Sequence, residues 1–168
     1  MSDPAASKPR VLPQRVGQAI LTLHIMLSVG LLGDSAGFLA VALLVESTAD
    51  PASAVQLVYV LEMFSVVFGI PLSFGALLTG IALGVGTKWG VFRYPWVTAK
   101  LALIVSVMAV GGLVIGPSIT AMQSGAGDRT SELIAAAGYD VLALAVATTL
   151  SVFKPGGRFS RATAAPRC

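Results

Sequence analysis

The stretch VGQAILTLHIMLSVGLLGDSAGFLAVALLV, Val16–Val45, decides the fold. Its only ionisable side chains are His24 and Asp34. A membrane-spanning helix needs about 20 apolar residues at about 1.5 Å of rise each. The apolar core of a secretory signal is only about 7–15 residues, so this run is too long to be one. It reads as a first spanning helix. Residues 1–15, before it, carry Pro4, Pro9, Pro13 and the cations Lys8, Arg10 and Arg15. They read as a disordered cytoplasmic tail.

Working outward, the same pattern recurs. Glu46–Pro51 reads as a loop, in which Asp50 can cap the next helix and Pro51 suits its first turn. A second helix is expected over 51–85. It exceeds the spanning minimum, so tilt, a kink or projection into the interface is expected, and Pro71 predicts a kink at mid-helix. A loop over 86–95 leads to a third helix at 96–121. The glycine-bearing turn Ser124–Arg129 follows. Thr130 or Ser131 is expected to cap a fourth helix at 131–153, which Lys154-Pro155-Gly156-Gly157 stops. Residues 154–168 read as a basic cytoplasmic tail. The fold class expected is all-α: a polytopic membrane protein with a four-transmembrane-helix bundle over 16–153.

Composition excludes a water-soluble surface. Of 168 residues 55% are hydrophobic and 11% charged, against roughly 25% charged in a soluble domain. Mean hydropathy is +0.85. The net charge of +3 finds its account in placement rather than in a nucleic-acid motif. Lys8, Arg10 and Arg15, then Lys88, Arg93 and Lys100, then Lys154, Arg158, Arg161 and Arg167 all fall on one side of the expected bundle; of the 11 cations, Arg129 alone falls on the other. The positive-inside rule therefore places both termini in the cytoplasm and the bundle in the plasma membrane of the cell. Basic tails are drawn to anionic lipid headgroups by about 1 kcal/mol per cation near the surface. Trp89, Tyr94 and Trp96, with Lys88, Arg93 and Lys100, read as interface anchors. Cys168, the single cysteine, reads as an exposed tail thiol.

Gly33 and Gly37, Gly80 and Gly84, and Gly112 and Gly116 stand four residues apart in the first three helices. Small residues at this spacing let helix backbones approach closely. They predict packing within the bundle, with a homo-oligomer seam or a membrane partner protein as the alternative.

The ionisable residues inside the expected spans are His24, Asp34, Glu62, Lys100 and Asp140. Such groups are costly in hydrocarbon and face a bundle interior or water. His24 and Lys100 fall near the cytoplasmic ends. Asp34, Glu62 and Asp140 fall toward the outer ends of three helices and are the candidate functional carboxylates. Two readings apply: a cation or proton site, or, for Glu62 and Asp140, wetting and dipole stabilisation near helix N-termini. Lys100 is expected to snorkel to the interface. His24 shares a face with Ser28, Leu31 and Ser35, where a buried histidine bonded to a serine or a carbonyl is the ordinary explanation. A haem ligand is the alternative, and bis-histidine ligation would need His24 of a second subunit. Metal-ligand spacing, nucleophile elbows, phosphate loops and catalytic triads are absent from the sequence, so no catalytic residue and no metal site is expected.

Several stretches resemble a family of bacterial four-helix integral membrane proteins of unknown function. They are Leu23-His24-Ile25 with Ser28-Val29-Gly30, Pro71-Leu72 with Leu77-Leu78-Thr79-Gly80, and above all Gly86-Thr87-Lys88-Trp89-Gly90-Val91-Phe92-Arg93 with Trp96 and Lys100. The resemblance runs over residues 17–120. Many members carry a tryptophan where this chain has Leu31. It implies the four-helix fold and no particular activity. A looser likeness to copper-resistance membrane domains is opposed by the single histidine and the lack of a methionine cluster. The function expected is that of an accessory or structural membrane component acting through helix packing; the alternatives are a proton- or cation-coupled carrier or channel component using the carboxylates and a haem-linked redox protein using His24.

Overall fold

The structure, a computed structural model, describes residues 13–86 and 95–153. It contains four long helices: α1 (Gln14–Ser47), α2 (Pro51–Gly86), α3 (Trp96–Gln123) and α4 (Thr130–Phe153). Each is long and apolar enough to cross a membrane. No strand occurs among the described residues. The observed ends lie within two residues of those expected. The tails, and the loop carrying Lys88, Trp89, Arg93 and Tyr94, lie outside the described residues.

Local chemistry explains two of the helix starts. Asp50 caps α2 as expected: Ser53 donates to its Oδ2 through the backbone N–H at 3.0 Å and the hydroxyl at 2.6 Å, and Ala52 N–H reaches Oδ1 at 3.4 Å. At α4 the sequence reading needs correction. Neither Thr130 nor Ser131 supplies the capping acceptor. Asp128 Oδ1 accepts from both the Thr130 N–H (2.9 Å) and the Thr130 hydroxyl (2.6 Å). The turn before it needs positive φ at Gly125 (71°) and Gly127 (141°), which glycine adopts without strain. These hydrogen bonds hold the carboxyls of Asp50 and Asp128 below their usual range, the Ser53 and Thr130 hydroxyls contributing most.

Pro71 was expected to kink α2. A departure from α-geometry lies just before it: a π-helical segment, Phe64–Gly69, where the Ile70 N–H donates to Ser65 O five residues back. In α3 a second π-segment, Gly111–Ile115, precedes Pro117 in the same way, with the Gly116 N–H on Gly111 O. Each π-segment ends two residues before a proline. The common cause is steric and electronic: a proline ring clashes with the carbonyl of residue i−4 and offers no N–H, and a widened turn relieves the clash.

The helices form a closed ring in chain order. α2 packs on α1, α3 on α2, and α4 on both α3 and α1. The buried core falls into two clusters. One gathers Phe38, Ala42 and Val45 of α1, Val58 and Leu61 of α2, Ile115 and Ile119 of α3, and Leu133, Ala136 and Ala137 of α4. The other gathers Leu31, Val107, Ala143 and Leu144. Large apolar side chains also cover the outside: Val85 is 71% exposed, Leu113 78% and Phe153 76%. Such an outer surface suits hydrocarbon rather than water.

Candidate functional site

The layer between the two core clusters is where polar chemistry enters the bundle. On α4 the buried residues Leu133, Ala136, Ala137, Asp140, Ala143 and Leu144 recur at helical spacing and make one inward stripe. Asp140 is its only ionisable member. Its side chain is only 6% exposed, and Oδ1 is buried with no hydrogen-bond partner. On α1, Asp34 stands between buried Leu31 and buried Phe38, next to buried Ser35. It is half-buried, and its Oδ1 is likewise buried without a partner. Its Oδ2 lies 3.3 Å from where a Cβ on Gly69 would stand, so the carboxyl reaches the π-segment of α2 at a residue with no side chain to obstruct it. Native proteins leave few buried polar atoms unpaired, and each asks for an explanation.

Glu62 does not share that situation. The Gln123 amide, at the last residue of α3, donates to Glu62 Oε2 at 2.7 Å. The three carboxylates thus divide into two that each hold a buried, unpartnered Oδ1 and one that is paired. The inward neighbours of Asp140 on α4, Ala136, Ala137, Ala143 and Leu144, are buried and apolar. The loop end of the bundle carries a second polar set absent from the sequence reading. Arg129 pairs with Glu132 at 2.8 Å, and the buried Ser118 hydroxyl donates to Glu132 Oε2 at 3.1 Å. The i,i+3 spacing of Arg129 and Glu132 was a legible signal; the Ser118 contact, between helices, had none. An open pocket of about 530 Å³ at this end is lined by Val45, Glu46, Ala54, Met122, Asp128 and Thr130.

At the other end, His24 Nδ1 lies 2.9 Å from Thr79 Oγ1. The Thr79 hydroxyl is 2.7 Å from Gly75 O, to which it donates. The imidazole lies against Gly80, with Cε1 3.2 Å from where a Cβ would stand, and Lys100 is within its electrostatic reach. His24 and Lys100 therefore share a layer. Lys100 also holds its ammonium 5.5 Å from the Trp96 ring centroid, a cation–π distance.

The expected glycines differ in what they meet. Gly37 meets Phe64, Gly80 meets His24, and Gly84 is buried. Nothing lies within 4 Å of a Cβ on Gly33 or Gly112, and Gly116 meets only the Gly111 carbonyl of its own helix. Two glycines outside the expected pairs also take neighbours: Gly75 receives Leu27 and Gly30 receives Leu72. The α1–α2 seam is thus built from single glycines, each opposed by a large side chain on the other helix.

These features define a class: an all-helical bundle of four helices, each long and apolar enough to cross a membrane, with two unpartnered carboxyls between its core clusters. No family model matches the chain, and no curated protein or solved structure shows significant similarity to it. Among the described residues no group of three or more His, Cys, Asp or Glu side chains comes together as metal ligands would.

Proposed function

We propose that this chain is a multi-pass protein of the cytoplasmic membrane, with both termini in the cytoplasm, and that it serves as a carrier or channel component for protons or a small cation. The single observation behind this role is the pair of buried carboxyl oxygens, Asp34 Oδ1 and Asp140 Oδ1, that no protein group satisfies. Ionisable groups within spanning helices mark ion and proton pathways because their cost in hydrocarbon is otherwise uncompensated. The π-segments of α2 and α3 add support, since such segments occur frequently at functional sites. The orientation rests on the distribution of the 11 cations.

A second reading, an accessory component acting through helix packing, is favoured by the interlocked α1–α2 seam at Gly30, Gly37, Gly75 and Gly80. The resemblance of the 86–93 loop to bacterial four-helix membrane proteins accords with either role. Purified protein in liposomes containing a pH-sensitive dye separates them. The carrier reading expects ion-dependent flux, abolished by Asp34→Asn or Asp140→Asn in protein that still folds. The packing reading expects no flux under any imposed gradient.

A further inference from the structure

We infer that the ion handled at the mid-bundle layer is the proton, and that Asp140 is the carboxyl that carries it. This rests on the carrier reading above and names its ion and its residue.

The argument is one of coordination. Ca²⁺ takes 6–8 oxygen ligands and Mg²⁺ a near-ideal octahedron. Asp140 offers one carboxyl on a stripe whose adjoining turns are Ala136, Ala137, Ala143 and Leu144, all buried and all without side-chain oxygen. α4 packs against α1 and α3. The ionisable residues of those two helices are Arg15, His24, Asp34, Glu46 and Lys100. The nearest by level is Asp34, whose Oδ2 lies beside Gly69 of α2 and whose Oδ1 has no hydrogen-bond partner. His24 is engaged with Thr79, also of α2. Among the described residues no three His, Cys, Asp or Glu side chains gather as the shell of such a cation would. A proton asks for far less, a single lone pair, and Oδ1 has one that nothing else uses.

The step is simple to balance. A hydronium ion from bulk water gives its proton to the carboxylate, one O–H bond forms, and water is left. Release returns the proton to water on the other side. No electrons move and no other bond breaks.

Infrared difference spectroscopy of the full chain in lipid nanodiscs, recorded between acid and alkaline buffer, tests the site independently of transport. We expect a carbonyl band of a protonated carboxyl that vanishes in Asp140→Asn and persists in Asp34→Asn. Asp140→Glu, which keeps the acid, should keep a shifted band, and this guards against an Asn variant that fails to fold. A wild-type spectrum without the band, or a band that survives Asp140→Asn, overturns the assignment. Flux assays under separate H⁺, Na⁺ and K⁺ gradients complete the test. Proton flux lost in Asp140→Asn supports the inference. Flux of Na⁺ or K⁺ without H⁺ overturns it while leaving the carrier reading intact. The band with no flux of any ion defeats the carrier reading and, with it, the inferred role of Asp140.

Discussion

Gly37 of α1 and Phe64 of α2 interlock: a Cβ built on Gly37 would stand 2.9 Å from Phe64 Cε1. Phe64 opens the π-segment of α2 and lies against the core cluster at the loop end. Its ring centroid is 6.1 Å from that of Phe68, so it has a second aromatic neighbour to disturb if it moves. Gly37→Val should therefore destabilise the bundle by about 1–3 kcal/mol, the usual range for overpacking. Gly33→Val should stay within about 0.5 kcal/mol, as substitutions without neighbours do, because nothing lies within 4 Å of its Cβ position. Thermal unfolding in detergent measures both. Equal effects at the two positions would show that the seam does not run through Gly37.

The two loop carboxylates predict an acid dependence. Asp50 and Asp128 are both held below the usual carboxylate range by their capping hydrogen bonds. A depressed folded pKa contributes stability that is fully present above the unfolded value and is lost as pH falls through the folded one. Asp50→Ala and Asp128→Ala should each lower the melting temperature at about pH 7 and remove part of its fall below about pH 4. Melting curves at several pH values check this. An unchanged acid slope in both variants would mean that the caps do not contribute to it.

How much was legible beforehand follows from the range of each cause. Helix limits depend on local chemistry: apolar runs, Asp50-Pro51, and the glycines of the third loop. The observed ends fall within two residues of those read from the sequence. The α4 cap was misassigned because Asp128 and Thr130 are both good capping types, and only geometry shows which oxygen accepts. Pro71 and Pro117 are both legible as breaks in regular helix, since Ile115-Gly116-Pro117 repeats the relation of Gly69-Ile70-Pro71, but a proline alone does not say that the break takes the form of a π-turn. The six glycines were selected by spacing alone, and spacing does not say which face of a helix meets a neighbour. For the same reason the sequence does not order Asp34 and Asp140 by burial. Distance from the helix ends orders the two one way, and burial, which depends on the packing of three helices, orders them the other.

The π-segments make a prediction about chain length. A π-turn closes on i→i+5 and so holds one more residue than an α-turn. Deleting Val67 together with Pro71→Ala should let α2 wind as continuous α-helix while Phe64 stays on Gly37 and Thr79 on His24. Deleting Leu77 instead should rotate everything after it by about 100°, one residue of a 3.6-residue turn, and separate His24 from Thr79. The first variant should fold and melt cooperatively in detergent, and the second should not. Loss of folding in both would show that the π-geometry itself is required.

Everything proposed for this chain depends on its crossing the membrane four times with both ends inside, and topology reporters test that most directly. Fusions at residue 10, at the loop near Lys88 and at the C-terminus should all report cytoplasm, and a fusion in the turn at Gly125–Gly127 should report the opposite side. An external signal at the Lys88 loop, or termini on opposite sides, would contradict the four-span arrangement and remove the membrane setting in which Asp34 and Asp140 need an explanation.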